Sequence, residues 1–161
     1  MSQIYLTLLA LTSALMVRAQ APARTWQYEK TVDRAGGTVY KATLPSTNVL
    51  QFEYPYTGGS IVTLTLRRKG GDTYAYLEVS KGMFTRSFQG GNANIQFDGK
   101  RAVAYSLSAA ANGRANIVFF DAEQRLIGQI RTAKAMVVQL QFAGQRPREI
   151  RFNTAGLRWD H

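Results

Sequence analysis

The sequence predicts an all-β protein: an antiparallel β-sandwich of about ten short strands with at most one short helix, with a closed β-barrel as the alternative. Three observations carry this. Short runs rich in aromatic and β-branched residues recur along the chain, and glycine pairs punctuate them at Gly36-Gly37, Gly58-Gly59, Gly70-Gly71 and Gly90-Gly91. No alternation of helical and strand patterns suggests a parallel sheet. Closely spaced strands with turn signals between them belong to sandwiches and barrels. The glycine spacing is irregular and the runs between are unlike, so the pairs mark turns and not repeats.

Trp26, Tyr28 and Thr31-Val32 form a first strand that the turn Asp33–Gly37 ends, and Thr38 to Leu44 form a second, closed by Pro45-Ser46. Leu50, Phe52 and Tyr54 alternate with Gln51 and Glu53, which predicts a half-buried strand before the turn Pro55–Gly59. Val62, Leu64 and Leu66 alternate with Thr63, Thr65 and Arg67, the clearest period-2 signal in the chain. After a turn at Lys69–Asp72, the residues Ala75, Leu77 and Val79 oppose Tyr74, Tyr76 and Glu78. Short strands follow at Met83–Phe88, Ala93–Phe97 and Ala102–Leu107, with Asp98-Gly99 a hairpin signal between the last two. Ser108 to Arg114 reads as a loop and Ala115 to Phe120 as a strand. Arg125 to Lys134 fits helix or strand: Leu126, Ile130 and Ala133 have helical spacing, and Asp121-Ala122-Glu123 suits a helix start. Strand character returns in Met136, Val138, Leu140 and Phe142, and again in Ile150 and Phe152.

Ahead of the first strand, Ile4 to Val17 is an almost unbroken apolar run. A membrane-crossing helix needs about 20 such residues, whereas a signal-peptide core needs fewer. Cleavage after Ala19 leaves Gln20 at the new N-terminus; cleavage after Ala21 would place Pro22 directly downstream. The expected organisation is a cleaved signal peptide at 1–19 and one β-sandwich domain at 20–161, periplasmic or secreted, with no transmembrane segment after processing. The chain has no cysteine, so neither a lipid anchor at the cleavage site nor a disulfide is available. Core burial must hold the fold. A domain of about 140 residues buries roughly 68–70% of its unfolded surface, enough for one core.

The formal net charge is +10. Such an excess points to an anionic polymer, lipid headgroups or an acidic protein as partner, or to a solubility device; nucleic acid is not expected. The cations gather twice, at Arg67, Arg68 and Lys69 and at Arg146, Arg148, Arg151 and Arg158. These are the candidate anion-binding residues, and they act as one surface only if the fold brings the two groups together. The eight tyrosines add amphipathic surface able to stack on sugars or bases.

The catalytic inventory is thin. The one histidine is His161, the last residue, so a Ser-His-Asp arrangement lacks its positioned imidazole. An ordinary zinc site lacks its ligands too. No catalytic residue, metal or cofactor is expected. The carboxylate pairs Asp72 with Glu78 and Asp121 with Glu123 remain for acid/base work on a carbohydrate, but aspartates at turns mostly bond their own backbone.

Several elements stand in a familiar layout: Ser46-x-Asn48, Tyr54-Pro55-Tyr56-x-Gly58-Gly59, Leu64-x-Leu66-Arg67, Lys81-Gly82-x-Phe84, Phe97-Asp98 and Gly156-Leu157-x-Trp159. It resembles a broad group of uncharacterised secreted or periplasmic bacterial β-sandwich proteins. More distantly it is similar to the invasion-associated locus B proteins and accessory proteins of type VI secretion. The resemblance implies a fold and supplies no catalytic residues. The expected function is an exported, non-enzymatic binding or structural module of the cell envelope. The rival expectations are an envelope protein holding anionic polymer or lipid headgroups on its basic clusters, and a carbohydrate-active enzyme using a carboxylate pair.

Overall fold

A computed structural model describes residues 24–85 and 91–161. The expected signal peptide and its cleavage site lie outside the described residues. Nine antiparallel strands form one sheet in the order β1-β2-β3-β4-β7-β6-β5-β8-β9. They are β1 (Gln27–Val32), β2 (Thr38–Pro45), β3 (Val62–Lys69), β4 (Asp72–Val79), β5 (Gly91–Phe97), β6 (Val103–Ala109), β7 (Ile117–Phe120), β8 (Ala135–Leu140) and β9 (Arg148–Asn153). The all-β antiparallel prediction holds, with a single helix among the described residues, α1 (Glu123–Thr132), between β7 and β8.

Period-2 patterning explains how one sheet makes a core. Leu44, Leu64 and Leu77 face each other across β2, β3 and β4, and all three are fully buried. Every strand from β2 to β9 sends its alternate residues into the same apolar cluster, from Ala42 on β2 to Ile150 and Phe152 on β9. A flat sheet could not bring those side chains together, so the sheet rolls around its own inner face. The result is sandwich-like. It is not closed by a ladder between its two end strands.

The seam between the ends is held another way. Thr47 donates its backbone N–H to the Arg151 carbonyl at 2.7 Å. The Asn48 side chain then imitates a strand: its amide donates to the Glu149 carbonyl at 2.9 Å and its oxygen accepts from the Arg151 N–H at 2.8 Å. Trp26, buried at the entrance to β1, donates its indole N–H to the Thr154 carbonyl. These contacts also protect the polar edge of β9 from other strands.

Three local expectations are corrected. Leu50–Tyr54 is not a strand. It makes one bridge, Leu50 to Ser60, and Tyr54 is 88% exposed. The reason is competition for backbone groups: the Gln145 side chain binds the Glu53 N–H at 2.9 Å and the Glu53 carbonyl at 3.4 Å, which leaves neither for a ladder. The described part of Met83–Phe88 is likewise a single bridge, Phe84 to Phe142, with residues 86–90 outside the described set. Ser108 and Ala109 belong to β6, paired with Phe119 and Val118, so the following loop starts later than its composition suggests. Nine strands therefore stand among the described residues, against the ten or so expected.

The ambiguous segment is helical. Leu126, Ile127 and Ile130 make a buried stripe, while Glu123 in the first turn and Arg131 in the last complement the helix dipole. No side chain caps the N-terminus, and Gly128 in the middle costs about 1 kcal/mol relative to alanine. Packing holds α1 more than propensity does.

Candidate functional site

The predicted cations are spread over the molecule. Lys69 and Arg67 pair in register with Val39 and Lys41, whereas Arg151 meets the chain at Thr47 and Asn48, beyond the other end of β2. Eight residues of extended chain separate Val39 from Thr47, roughly 26 Å at about 3.3 Å each. Arg67 and Lys69 therefore lie far from Arg151, whereas Arg158 borders Tyr40, the register partner of Arg68. Within the first group, alternation also divides them: Arg67 and Lys69 point outward, and Arg68 shares the face of Leu64 and Leu66, beside Tyr40.

Several of these cations are engaged. Lys69 binds Asp33 at 2.7 Å. The Arg67 guanidinium lies 6.0 Å from the centre of the Tyr74 ring. Arg68 Nε donates to the Gly70 carbonyl. Arg148 reaches the Gln51 carbonyl at 3.1 Å, and Arg151 pairs with Glu149 at 2.9 Å. Arg146 is exposed. Arg158 borders a small groove of about 190 Å³ with Lys30, Tyr40, Trp159 and His161, where the His161 imidazole stacks on Tyr40 at 3.8 Å.

Asp33 carries a testable consequence. The Lys69 ammonium and then the Gly37 N–H bind its carboxylate, and the Ala35 N–H adds a third bond. Together they hold its pKa below the ordinary carboxylate value. A lowered folded-state pKa stabilises the protein above the unfolded value of about 3.9, and that stabilisation is lost as pH falls through the folded value. Asp33→Asn should therefore melt below the parent at neutral pH. The gap should close as the pH drops through the carboxylate range. Thermal melts across that range check this, and a gap independent of pH would show that the Asp33 charge contributes nothing.

A more connected surface lies on the outward face of β2, β3, β4 and β7. The register sets it out in rows that run across the strands. One row reads Thr43, Thr65, Tyr76, Phe119, Ser108, and on one side of it Lys41, Arg67 and Tyr74 lie in register. On the other side lie Thr63, Glu78 and Ile117. Three rings touch: Phe119 lies 5.1 Å from Tyr76 and 6.2 Å, edge-on, from Tyr74. Tyr74 is 39% exposed, whereas Thr65 is 2% exposed although it points outward. The neighbours of Thr65 rise around it, so this part of the face is concave. A groove of about 320 Å³ follows Thr43, Thr63, Thr65, Glu78 and Asn116, and another of about 380 Å³ runs beside Tyr74, Phe119, Ser108 and Asp121.

The charges of this face come mostly as pairs. Arg114 binds Glu78, to which the Asn116 amide also donates at 3.3 Å. Lys41 lies 4.0 Å from Glu29. These groups are held in place, with bonding capacity left for a ligand.

No family model, curated protein or solved structure matches the chain.

Function must then be argued from the site itself. Of the carboxylate pairs weighed from the sequence, Asp72 and Glu78 lie far apart, whereas Asp121 and Glu123 both line the groove beside Tyr74 and Phe119. Asp72 and Glu78 sit six residues apart on β4, about 20 Å along a strand. Asp121 accepts a hydrogen bond from the Ser108 hydroxyl, and Glu123 lies in the first turn of α1. Among the described residues, no three His, Cys, Asp or Glu side chains gather where a metal ion could be held. No helix of the described residues is long and apolar enough to cross a membrane.

Sequence reasoning missed the outward face as a unit. Its signal was present in part: Tyr74, Tyr76 and Glu78 alternate with the buried Ala75, Leu77 and Val79. Phe119 and Asn116 join them only through the pairing of β4 with β7, which crosses about forty residues of chain.

Proposed function

We propose that this protein is an exported, non-enzymatic binding module of the bacterial cell envelope, periplasmic or secreted, that holds its ligand on the outward face of β2, β3, β4 and β7. The same reading places it with the secreted and periplasmic group that its turn motifs resemble. The observation that carries the proposal is the set of three touching rings, Tyr74, Phe119 and Tyr76, on the solvent side of a sheet whose other side is the core. Aromatic side chains dominate binding energetics because they offer large rigid area at little entropic cost. Around them stand threonine hydroxyls and fixed ion pairs, the few placed polar groups that orient a ligand.

The rival based on basic clusters has less support. Arg67 and Lys69 lie apart from Arg151, and Lys69 and Arg151 already have acidic partners. The hydrolase reading has less still: Asp72 and Glu78 are separated along β4, and Asp121 accepts a hydrogen bond from Ser108.

Sedimentation with washed envelope fragments of the producing cell tests the proposal. The purified protein should pellet with the fragments, and Tyr74→Ala combined with Tyr76→Ala should weaken this about tenfold while the melting curve stays cooperative. Reversing Arg148 and Arg151 to Glu should leave pelleting in place. Pelleting that ignores the tyrosines, or that is lost with the two arginines, would overturn the assignment of the face.

A further inference from the structure

We infer that the ligand of this face is a glycan chain of uncharged sugars, laid across the strands along Thr43, Thr65, Tyr76 and Phe119. The inference rests on the binding-module reading above and adds the class of ligand.

A sugar ring has an apolar C–H face and a rim of hydroxyls that both donate and accept. The row offers the matching alternation: the half-buried Thr43 hydroxyl, Thr65 at the floor of the groove, then two rings, on adjacent strands. Neighbouring strands are about 4.8 Å apart, so the four positions span roughly 14 Å, long enough for a short oligosaccharide. The grooves on both sides of the row give the rim of each sugar somewhere to sit. On one side it would meet Thr63, Glu78 and Asn116, on the other Tyr74, and at the end of the row Ser108.

The charges argue for an uncharged chain. A nucleic acid or acidic polymer needs uncompensated cations along its path and gains its affinity by releasing counterions. Here Lys41 lies beside Glu29, Lys69 beside Asp33 and Arg114 beside Glu78, which leaves Arg67, over the Tyr74 ring, as the cation of the face with no acidic partner among the described residues. A polyanion would have to compete with those carboxylates. A sugar hydroxyl instead accepts from the cation and donates to the acid, leaving the pair intact. Lipid tails fit less well, because hydroxyls and charged groups interrupt the apolar surface on every side.

Affinity electrophoresis with four soluble glycans (laminarin, xylan, mannan and chitohexaose) tests this, with heparin and single-stranded DNA run beside them. At least one of the four should retard the protein, with little change between about 0.15 M and 0.5 M salt, where charge-driven binding falls steeply. Tyr74→Ala and Tyr76→Ala should each weaken that binding by about two- to tenfold, the worth of one ring contact. Thr43→Val keeps the side-chain shape and removes the half-buried hydroxyl of the row, so it should weaken binding even where a ring variant folds poorly. Tyr54→Ala, at a turn and 88% exposed, should change nothing. Retardation by none of the four would overturn the inference, as would retardation indifferent to both Tyr76 and Thr43. If heparin or DNA binds more tightly and Arg67→Gln abolishes it, the ligand is a polyanion. In that case the face stands as a binding surface, provided the envelope sedimentation above still needs the tyrosines. Loss of that sedimentation result would remove the face altogether.

Discussion

Phe142→Ala is expected to lower the stability of the protein by about 3–5 kcal/mol, the usual cost of removing a buried aromatic ring. Phe142 is 1% exposed, and its ring lies 4.9 Å from Phe52 and 5.0 Å from Phe84. None of the three belongs to a strand. They come from three separate connections and fasten them to one another. The fit is close: at Gly82, where φ is +101°, an added Cβ would come within 2.8 Å of Phe52 Cε2. Surroundings that tight collapse only partly around a lost ring, so a cavity is expected to remain. Urea unfolding checks this through the midpoint, with the slope unchanged. A loss below about 1 kcal/mol would mean that the connections repack freely and do not anchor the shell.

Leu64→Ala should cost about 2–5 kcal/mol. Leu64 is fully buried in the middle of β3, with Leu44 on one side and Leu77 on the other in register. Neither neighbour can move inward without breaking its own ladder, so the vacated space stays largely open. The same urea titration reads the effect. A loss under about half a kilocalorie would contradict the inward placement of Val62, Leu64 and Leu66 on which the sheet depends.

The two variants separate two kinds of information. The burial of Leu64 is legible from its neighbours alone, because strict alternation of apolar and polar residues puts one set on one face of a strand. The same rule placed Ala75, Leu77 and Val79 inward and Tyr74, Tyr76 and Glu78 outward, which is half of the candidate site. It failed at Leu50, Phe52 and Tyr54, which alternate just as well. There the backbone of Glu53 is claimed by Gln145, a residue far along the chain, and only two of the three apolar side chains are buried. Alternation says which side chains prefer the inside and says nothing about where the backbone finds its hydrogen bonds.

Cation placement shows the same limit. Two basic clusters are plain in the sequence, but the distance between Arg67 and Arg151 follows from register. β3 runs Arg67 and Lys69 to one end of β2, and the seam holds Arg151 at the other. By itself, then, the sequence determined an all-β chain without cysteine, its main strands and turns, and the inward set of its central strands, because these depend on local periodicity and turn chemistry. Only the tertiary structure decided the order β4-β7-β6-β5, the helical state of Glu123–Thr132 and the seam that Asn48 bridges. It alone set Phe119 against Tyr74 and Tyr76. Each of these rests on pairing between distant segments, whose free energy comes from burying one shared core and is not written in any single run of residues.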